Sequence, residues 1–302
     1  MQSIKARVLT VFMSFVMAVS MLPAINSSAA VSYKCGEDVH YTIENGTVTI
    51  SGTGPMYNYL AYDKDGDKKP DLSDSPFYSK RTQFQKVVIE DGVTHVGNNA
   101  FLWCTGLKEV EFRSKGSLKT IGTQAFYECS LTKLALPYGL TSVGMDAFMA
   151  NHYLVSLSIP NTVKTIGYGA FADCWELLYV YVPASVSTIG DFAFRGNHKL
   201  RSVTGGAGLT SIGVQAFEHT WNLKTFKITS KKLQRIGKLC FYCSGLKTLQ
   251  IKKTTKLKKK KVKGSLYMSS VKTVKVKKSK VRKYKKFFTP RNCGKYRVKV
   301  KK

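Results

Sequence analysis

The chain has 302 residues, a formal net charge of +30 and seven cysteines. This length suits one large domain or an elongated array of repeated units. After residue 30 no apolar stretch is long enough to cross a bilayer, which excludes a membrane span in that part of the chain. The cysteine count is odd and the spacing follows an internal repeat, so we interpret the cysteines mainly as small buried hydrophobic residues.

Residues 1–30 have the pattern of a secretory signal peptide. Lys5 and Arg7 give a basic start, an apolar run continues from Val8 to Leu22, and small residues end the segment. The run suits a signal-peptide core better than a membrane span, and an uncleaved anchor is the alternative. We predict cleavage near residue 30, export of the mature chain, and no transmembrane anchor after cleavage.

Residues 31–84 are predicted to form an N-terminal cap with an acidic loop. The loop alternates aspartates with lysines around a glycine and is similar to a single thrombospondin type 3 calcium repeat. Alternating carboxylates can supply the oxygen ligands that Ca²⁺ requires, whereas the lysines and the missing closing Glu favour a solvated surface loop. The candidate calcium ligands are Asp63, Asp65, Asp67 and Asp71.

Residues 85–276 contain an internal repeat, which decides the architecture. An Ile/Val-Gly pair, two variable residues and Ala-Phe (Cys-Phe in the last copy) recur seven times, at intervals of 22 to 25 residues. The repeat phenylalanines are Phe101, Phe126, Phe148, Phe171, Phe194, Phe217 and Phe241. Each copy continues with a Cys, Asn or Thr, a position that we assign to Cys243 in the seventh copy. An alternating segment such as Leu154–Ile159 follows, which is typical of a half-buried strand.

The repeat predicts a solenoid of stacked turns, with one parallel strand per turn of about 23 residues and short helical or irregular returns. No single turn can bury its Leu, Val, Ile and Phe side chains, but stacked turns bury them together. The glycine of each repeat marks a bend where a side chain would obstruct the chain or where φ must be positive.

The repeat unit resembles the BspA-type leucine-rich repeat of bacterial surface proteins, over residues 86–276. The flanking segment Cys35–Gly54 resembles the N-terminal β-hairpin of such proteins, with Asn45-Gly46 as its turn. Val87–Val93 resembles their usual lead-in to the first repeat. The resemblance implies a mainly β leucine-rich-repeat solenoid, display outside the cell, and binding to molecules of a host or a neighbouring cell. It implies no catalytic residues.

Residues 277–302 are predicted to form a Lys-rich C-terminal cap. The chain from Lys252 onward holds 20 Lys and 3 Arg and no acidic residue. Val281, Tyr284 and Phe288 lie at helical spacing, and the proline that follows is expected to end that segment.

The lysines have two compatible interpretations. They protect solubility and strand edges, or they retain the protein on an anionic cell-wall polymer, an acidic glycan or anionic lipid headgroups. Nucleic acid is not expected to be the dedicated ligand. The candidate polyanion-binding residues are Lys258, Lys259, Lys260, Lys261, Lys277, Lys278, Lys285 and Lys286.

Two sets of aromatic residues form the candidate surface for a protein or glycan ligand. Tyr179 and Tyr181 occupy outward positions of one predicted strand. One position after the Cys, Asn or Thr, successive turns carry His152, Trp175, His198 and Trp221. Other turns carry a small polar residue there, and we assign Ser244 to this position in the seventh copy. An exposed row of rings suits stacking on sugars or anchoring of a peptide. The alternative is that the rings lie flat over the solenoid edge and cover apolar surface.

Catalytic signatures are missing from the sequence: there is no Ser/His/Asp order, no paired carboxylates in a cleft-forming segment and no HExxH motif. The sequence therefore predicts a secreted or cell-surface binding or adhesion protein, rather than an enzyme. The alternative is a wall-associated structural protein that its Lys-rich C-terminus retains on anionic polymers.

Overall fold

The computed structural model of the protein describes residues 31–62, 72–251, 253–254, 256–293 and 297–302. In these ranges the chain is a solenoid of stacked turns that contains many short parallel strands and little helix. None of the helices in these ranges has the length and apolar character that a membrane crossing requires. The predicted signal peptide, residues 1–30, lies outside the described residues.

A long ladder of parallel strands runs along one face, at the alternating segments that the sequence predicted. Val180 pairs in register with Val203, and Val203 with Phe226, and all three are buried. Their neighbours in each strand point outward and are polar or aromatic. Register is fixed because a one-residue slip would expose every buried side chain of a strand. The strands of this ladder are Lys86–Ile89, Glu109–Phe112, Lys133–Ala135, Ser156–Ser158, Tyr179–Val182, Ser202–Gly205, Thr225–Ile228, Thr248–Gln250, Thr273–Lys275 and Lys299–Lys301. The first two of them belong to one sheet and the other eight to a second sheet.

A second, short ladder is present that the sequence analysis did not anticipate. The residues just before each repeat glycine pair in parallel from turn to turn, so Ile166 lies between Val143 and Ile189. The returns between the ladders are tight turns. The short strands are Val93–Val96, Thr120–Ile121, Ser142–Val143, Thr165–Ile166, Thr188–Ile189, Ser211–Ile212 and Arg235–Ile236.

The repeat glycines are required by the close approach of successive turns. In the stack from Gly144 to Gly237, a Cβ on each glycine would come within 2.3 to 2.7 Å of the backbone of the preceding turn. Their φ angles are not positive. The left-handed backbone lies instead two positions before and two after each repeat phenylalanine, as at Gln124 and Glu128 around Phe126. Of the two reasons that the sequence left open for the glycine, steric obstruction is the correct one.

The repeat phenylalanines form a continuous column at the centre of the solenoid. From Phe101 to Phe241 all seven are fully buried, and successive rings stack with centroids 5.1 to 5.9 Å apart. These separations fall in the range in which aromatic pairs attract one another beyond their hydrophobic burial. Each turn therefore completes the core of its neighbours.

Where the buried residue after the phenylalanine is Cys or Asn, its side chain donates to a backbone carbonyl of the preceding turn. The Cys129 thiol and the Asn151 and Asn197 side-chain amides donate to the carbonyl of the repeat phenylalanine in the preceding turn, at 3.2, 2.8 and 2.9 Å. In the seventh copy our assignment was wrong, because the buried residue is Ser244. Cys243 is only half-buried and occupies the left-handed position, with a φ of 50°.

The N-terminal end contains the predicted hairpin, of strands Gly36–Glu44 and Thr47–Met56. Asn45 and Gly46 have φ angles of 46° and 72°, the left-handed pair that a tight hairpin turn requires. The second strand pairs in parallel with Lys86–Ile89 and so joins the hairpin to the solenoid. The remaining elements here are strands Tyr33–Lys34, Ala61–Tyr62 and Leu72–Ser73 and the 3-10 helix Tyr78–Lys80. The role of this end as a cap stays a prediction.

The C-terminal end extends the long ladder beyond residue 276. Strand Lys299–Lys301 pairs in parallel with Thr273–Lys275, and the intervening chain packs Tyr284 and Phe288 into the core. The segment at helical spacing ends before the proline at 290, as expected, since its helix covers Val281–Lys285. The proline begins a further short helix. A proline fits the first turn of a helix because no partner is needed there for its missing N–H. The short helices here are the 3-10 helices Lys259–Lys261 and Lys278–Lys280 and the α-helices Val281–Lys285 and Pro290–Cys293.

Candidate binding surface

The predicted aromatic row is a continuous stack of rings. His152 and Trp175 have centroids 3.7 Å apart, Trp175 and His198 5.9 Å, and His198 and Trp221 4.1 Å. The angles between neighbouring ring planes are 20°, 13° and 4°. Because these residues hold the same position in consecutive turns, the spacing of the turns brings their rings face to face.

Stacking determines which ring faces a ligand can reach. Trp175 lies between His152 and His198 in the stack, closer to His152, and is 42% exposed. Trp221 stacks face to face on His198 alone, has the tilted ring of His219 with its centroid 6.2 Å away, and is 57% exposed. The rings do not lie flat over the solenoid edge, and only the end of the row offers an open indole face.

The turn that follows Trp221 explains why this face is open. It reads Ser244-Gly245-Leu246, one residue shorter than Thr220-Trp221-Asn222-Leu223. The sequence analysis placed Ser244 next in the row, which was wrong, since Ser244 is the buried residue of its turn and Gly245 follows it. Gly245 has no side chain to cover the indole, and a Cβ there would lie 2.0 Å from the Trp221 carbonyl oxygen.

A notch of about 310 Å³ opens at this point of the surface. Its walls are Trp221 and Asn222 on one turn and Gly245 on the next, and the ammonium-bearing side chains of Lys224 and Lys247 border it. The Asn222 side-chain amide donates to the His198 carbonyl at 2.9 Å, which fixes that wall. The notch combines an open aromatic face with two cations.

Tyr179 and Tyr181 lie on one strand of the long ladder and are 56% and 64% exposed. Small residues flank them, since Tyr179 pairs with Ser202 and Tyr181 with Thr204 in the next turn. The two rings therefore point outward, as the sequence predicted, and their partners in the next strand are small.

The histidines of the row are held by polar contacts. A ring nitrogen of His152, Nδ1, lies 2.9 Å from the backbone carbonyl oxygen of Asp173. Burial lowers the pKa of His198, although the nearby Asp173 carboxylate opposes this effect. Burial also raises the pKa of Asp173, against the opposing Arg195 guanidinium. His198 therefore contributes a neutral ring to the stack near pH 7.

Metal binding has no support in the described residues, which contain no group of three or more His, Cys, Asp or Glu side chains able to hold an ion. The predicted calcium ligands Asp63, Asp65, Asp67 and Asp71 lie outside the described residues. Calcium binding there stays a prediction.

The predicted polyanion-binding lysines all lie on the surface. Each of the eight is exposed, whereas Leu257, Val262 and Tyr284 between them are buried. The C-terminal turns therefore have an apolar inside and a cationic outside. A groove of about 830 Å³ on this part of the surface is bordered by Lys247, Lys272 and Lys299.

Comparison of the sequence with models of known families identifies the family of this repeat. The family model described as BspA type leucine rich repeat region matches six copies, over residues 71–189 and 164–293. The chain belongs to the BspA-type leucine-rich repeat family. Proteins of this family are typically secreted or displayed on bacterial surfaces.

One solved leucine-rich repeat protein shares the fold, and two others are similar to parts of the chain. A leucine-rich repeat protein from Bacteroides ovatus is 22% identical, with a TM-score of 0.58 over 87% of this chain and 75% of that protein. The T. pallidum leucine-rich repeat protein TpLRR is 29% identical, with a TM-score of 0.46 over 62% of this chain and 88% of that protein. The pneumococcal vaccine antigen PcpA is 18% identical, with a TM-score of 0.36 over 82% of each chain. No curated protein matches the sequence significantly.

The sequence analysis of this leucine-rich repeat protein missed the notch and the cations around it. The signal was the single-residue shortening at Gly245, which is visible once the copies are aligned on their phenylalanines. The assignment of Ser244 to the aromatic row hid this shortening.

Proposed function

We propose that this protein is a secreted or cell-surface binding and adhesion protein that contacts host or cell-envelope macromolecules through its solenoid surface. The observation that carries the proposal is the group of exposed rings in the middle turns, above all Tyr179 and Tyr181. The core is complete without them, because Val180 and Val182 on the same strand fill its inward positions. Exposed aromatic side chains that the core does not need are typical of contact surfaces.

Binding is favoured over catalysis by the chemistry of the residues. The family is built of structural repeats. The thiols of Cys174 and Cys240 are buried, and burial raises their pKa far above its ordinary value. A thiol of that kind is a poor nucleophile, because the thiolate is the reactive form. We propose no enzymatic activity.

The test of this proposal is an array of glycans and matrix proteins, probed with the purified protein at low and high salt. Specific ligands of the ring surface retain their affinity at high salt, because exposed charges are screened and apolar contacts are not. Replacement of both tyrosines, Tyr179→Ser with Tyr181→Ser, is expected to weaken such a ligand at least about tenfold. Tyr138→Ser is the matched control, since Tyr138 is equally exposed and lies at a turn outside both ladders. If the double variant binds the ligand as tightly as the native protein does, the tyrosine pair has no role in binding it.

A second candidate function is retention on an anionic polymer of the cell envelope. It is favoured by the exposure of Lys277, Lys278, Lys285 and Lys286 in a region without acidic residues. Replacing these four lysines with glutamine should reduce co-sedimentation with purified teichoic acid and flatten its salt dependence. The same variant should bind a salt-insensitive ligand normally, which separates the two functions. Nucleic acid is not proposed as the dedicated ligand.

A further inference from the structure

Four cationic residues occupy the same position in consecutive turns, just before the strands of the long ladder. The backbone amide of Lys224 donates to the carbonyl of Arg201, and that of Lys272 to the carbonyl of Lys247. The pairing of Phe226 with Leu249 places Lys224 beside Lys247. Arg201, Lys224, Lys247 and Lys272 therefore form one file along the solenoid, with neighbours about 4.8 Å apart at their backbones. We call this file the cation row.

The positive charges of the cation row are not neutralised by any described acidic side chain. All four side chains are exposed, and none of them forms an ion pair with a described carboxylate. No Asp or Glu follows Glu218 in the sequence. Like charges in neighbouring strands repel one another, and an anion bound along the row would relieve that repulsion.

The cation row borders two neighbouring cavities of the surface, and Lys247 lines both of them. Lys224 and Lys247 border the notch beside Trp221. Lys247 also borders the larger groove that continues past Lys272 to Lys299. An extended ligand can therefore lie along the row with one end against the indole.

We propose that the notch beside Trp221 and the neighbouring groove together bind a linear acidic polysaccharide. One sugar ring stacks on the outer face of Trp221, and the carboxylates or sulfates of the following sugars pair with Lys224, Lys247 and Lys272. The proposal deepens the binding function above, on which it rests, by naming a ligand class and a site separate from the tyrosine pair.

A sugar polymer fits this groove better than other polyanions. A polyol phosphate or polyphosphate chain has charge but no ring to place on Trp221. Single-stranded nucleic acid is bound on platforms where successive bases stack on separate aromatic faces. In the aromatic row Trp175 and His198 each have a stacked ring on both sides, which leaves one open indole face. One stacking site followed by a file of cations matches a chain of charged sugars.

The test measures the affinity of the purified protein for three probes: an oligogalacturonate, a polyphosphate of similar charge, and oligo-dT. We expect Trp221→Ala to weaken oligogalacturonate about tenfold and polyphosphate less than about twofold. Trp175→Ala is the matched control, because it removes an indole with a stacked ring on both sides, and it should change neither affinity more than about twofold. Lys247→Gln should weaken both probes and reduce the salt dependence of each.

Fluorescence gives a second readout that does not depend on truncating Trp221. In a variant that carries Trp103→Phe and Trp175→Phe, Trp221 is the single remaining tryptophan. Saturating oligogalacturonate should change its emission, and polyphosphate should leave it unchanged. Circular dichroism and the thermal midpoint show whether each variant is folded.

Three results would overturn the proposal. If Trp221→Ala does not weaken oligogalacturonate and the ligand does not change the emission of Trp221, no sugar stacks on the indole. The groove would then retain polyanions by charge alone. Tighter binding of oligo-dT with the same dependence on Trp221 would assign the groove to nucleic acid. Failure of the protein to bind any of the three probes would reject the groove as a polyanion site. None of these results tests ligand binding at Tyr179 and Tyr181. The array of glycans and matrix proteins tests that surface separately.

Discussion

The turns up to Glu218 and the turns after it both have an apolar interior, but their surfaces differ in charge. In the first region carboxylates and cations interleave: Lys86 pairs with Glu109 and Glu111 at 2.8 and 2.6 Å, and Arg113 also pairs with Glu111, at 2.6 Å. In the second region no carboxylate exists, and lysines cover an apolar core. The phenylalanine column crosses from the first region into the second, as far as Phe241. Stacking fixes the core of every turn, whereas the outward positions are free to diverge, so surface charge is the property that distinguishes the two regions.

The largest predicted effect tests whether the interiors are truly alike. Phe126→Ala in the first region and Phe241→Ala in the second should each cost about 3–5 kcal/mol in the free energy of unfolding, because each leaves a large cavity in a closed column. Urea unfolding followed by circular dichroism measures the loss. Tyr138→Ala is the surface control and should cost less than about 0.5 kcal/mol. A clearly smaller cost at Phe241 would show that the lysine-covered turns are packed less tightly.

A medium effect concerns Asp146, a half-buried carboxyl of the first region. Burial raises its pKa from 3.8 to about 6, and its Oδ1 atom is buried with no hydrogen-bond partner. The folded state then binds more protons than the unfolded state between pH 4 and 6, so this group lowers stability as the pH rises through that interval. Asp146→Asn should raise stability at pH 7 by about 1 kcal/mol, less than full burial would give. Asparagine tolerates the left-handed backbone at this position.

The measurement for Asp146 is the thermal midpoint as a function of pH, for the native chain and the variant. The difference between them should be small at pH 4 and reach its full size above pH 6. A difference that does not change with pH would contradict the assignment to ionisation.

The smallest effect is expected at the ion pairs of the first region. The Arg113 guanidinium and the Lys86 ammonium lower the pKa of Glu111 to about 2. A lowered carboxyl pKa contributes stability that is present above pH 4.5 and is lost as the pH falls towards 2. These groups are exposed to solvent, so Glu111→Gln should cost less than about 1 kcal/mol at low salt and almost nothing at high salt. Thermal midpoints at the two salt concentrations measure it, and a cost that persists at high salt would show a packing role for Glu111.

Much of the architecture follows from the sequence alone. The spacing of the phenylalanines sets the length of a turn, and alternation such as Leu154–Ile159 sets the long ladder, because only stacking can bury such segments. The file of His152, Trp175, His198 and Trp221 follows from the same register. A strict repeat converts positions in the chain directly into neighbours in space.

Tertiary structure alone decided the rest. Two residues before each glycine are too few for a strand pattern, and their ladder exists because adjacent turns align them. A glycine permits both a positive φ and the close approach of a neighbouring backbone. Only the contact between successive turns shows that close approach is the reason for the repeat glycine. Whether rings in a file lie flat or stack face to face depends on side-chain packing. The open face of Trp221 results from one missing residue near Gly245, a local change in path that periodicity cannot report.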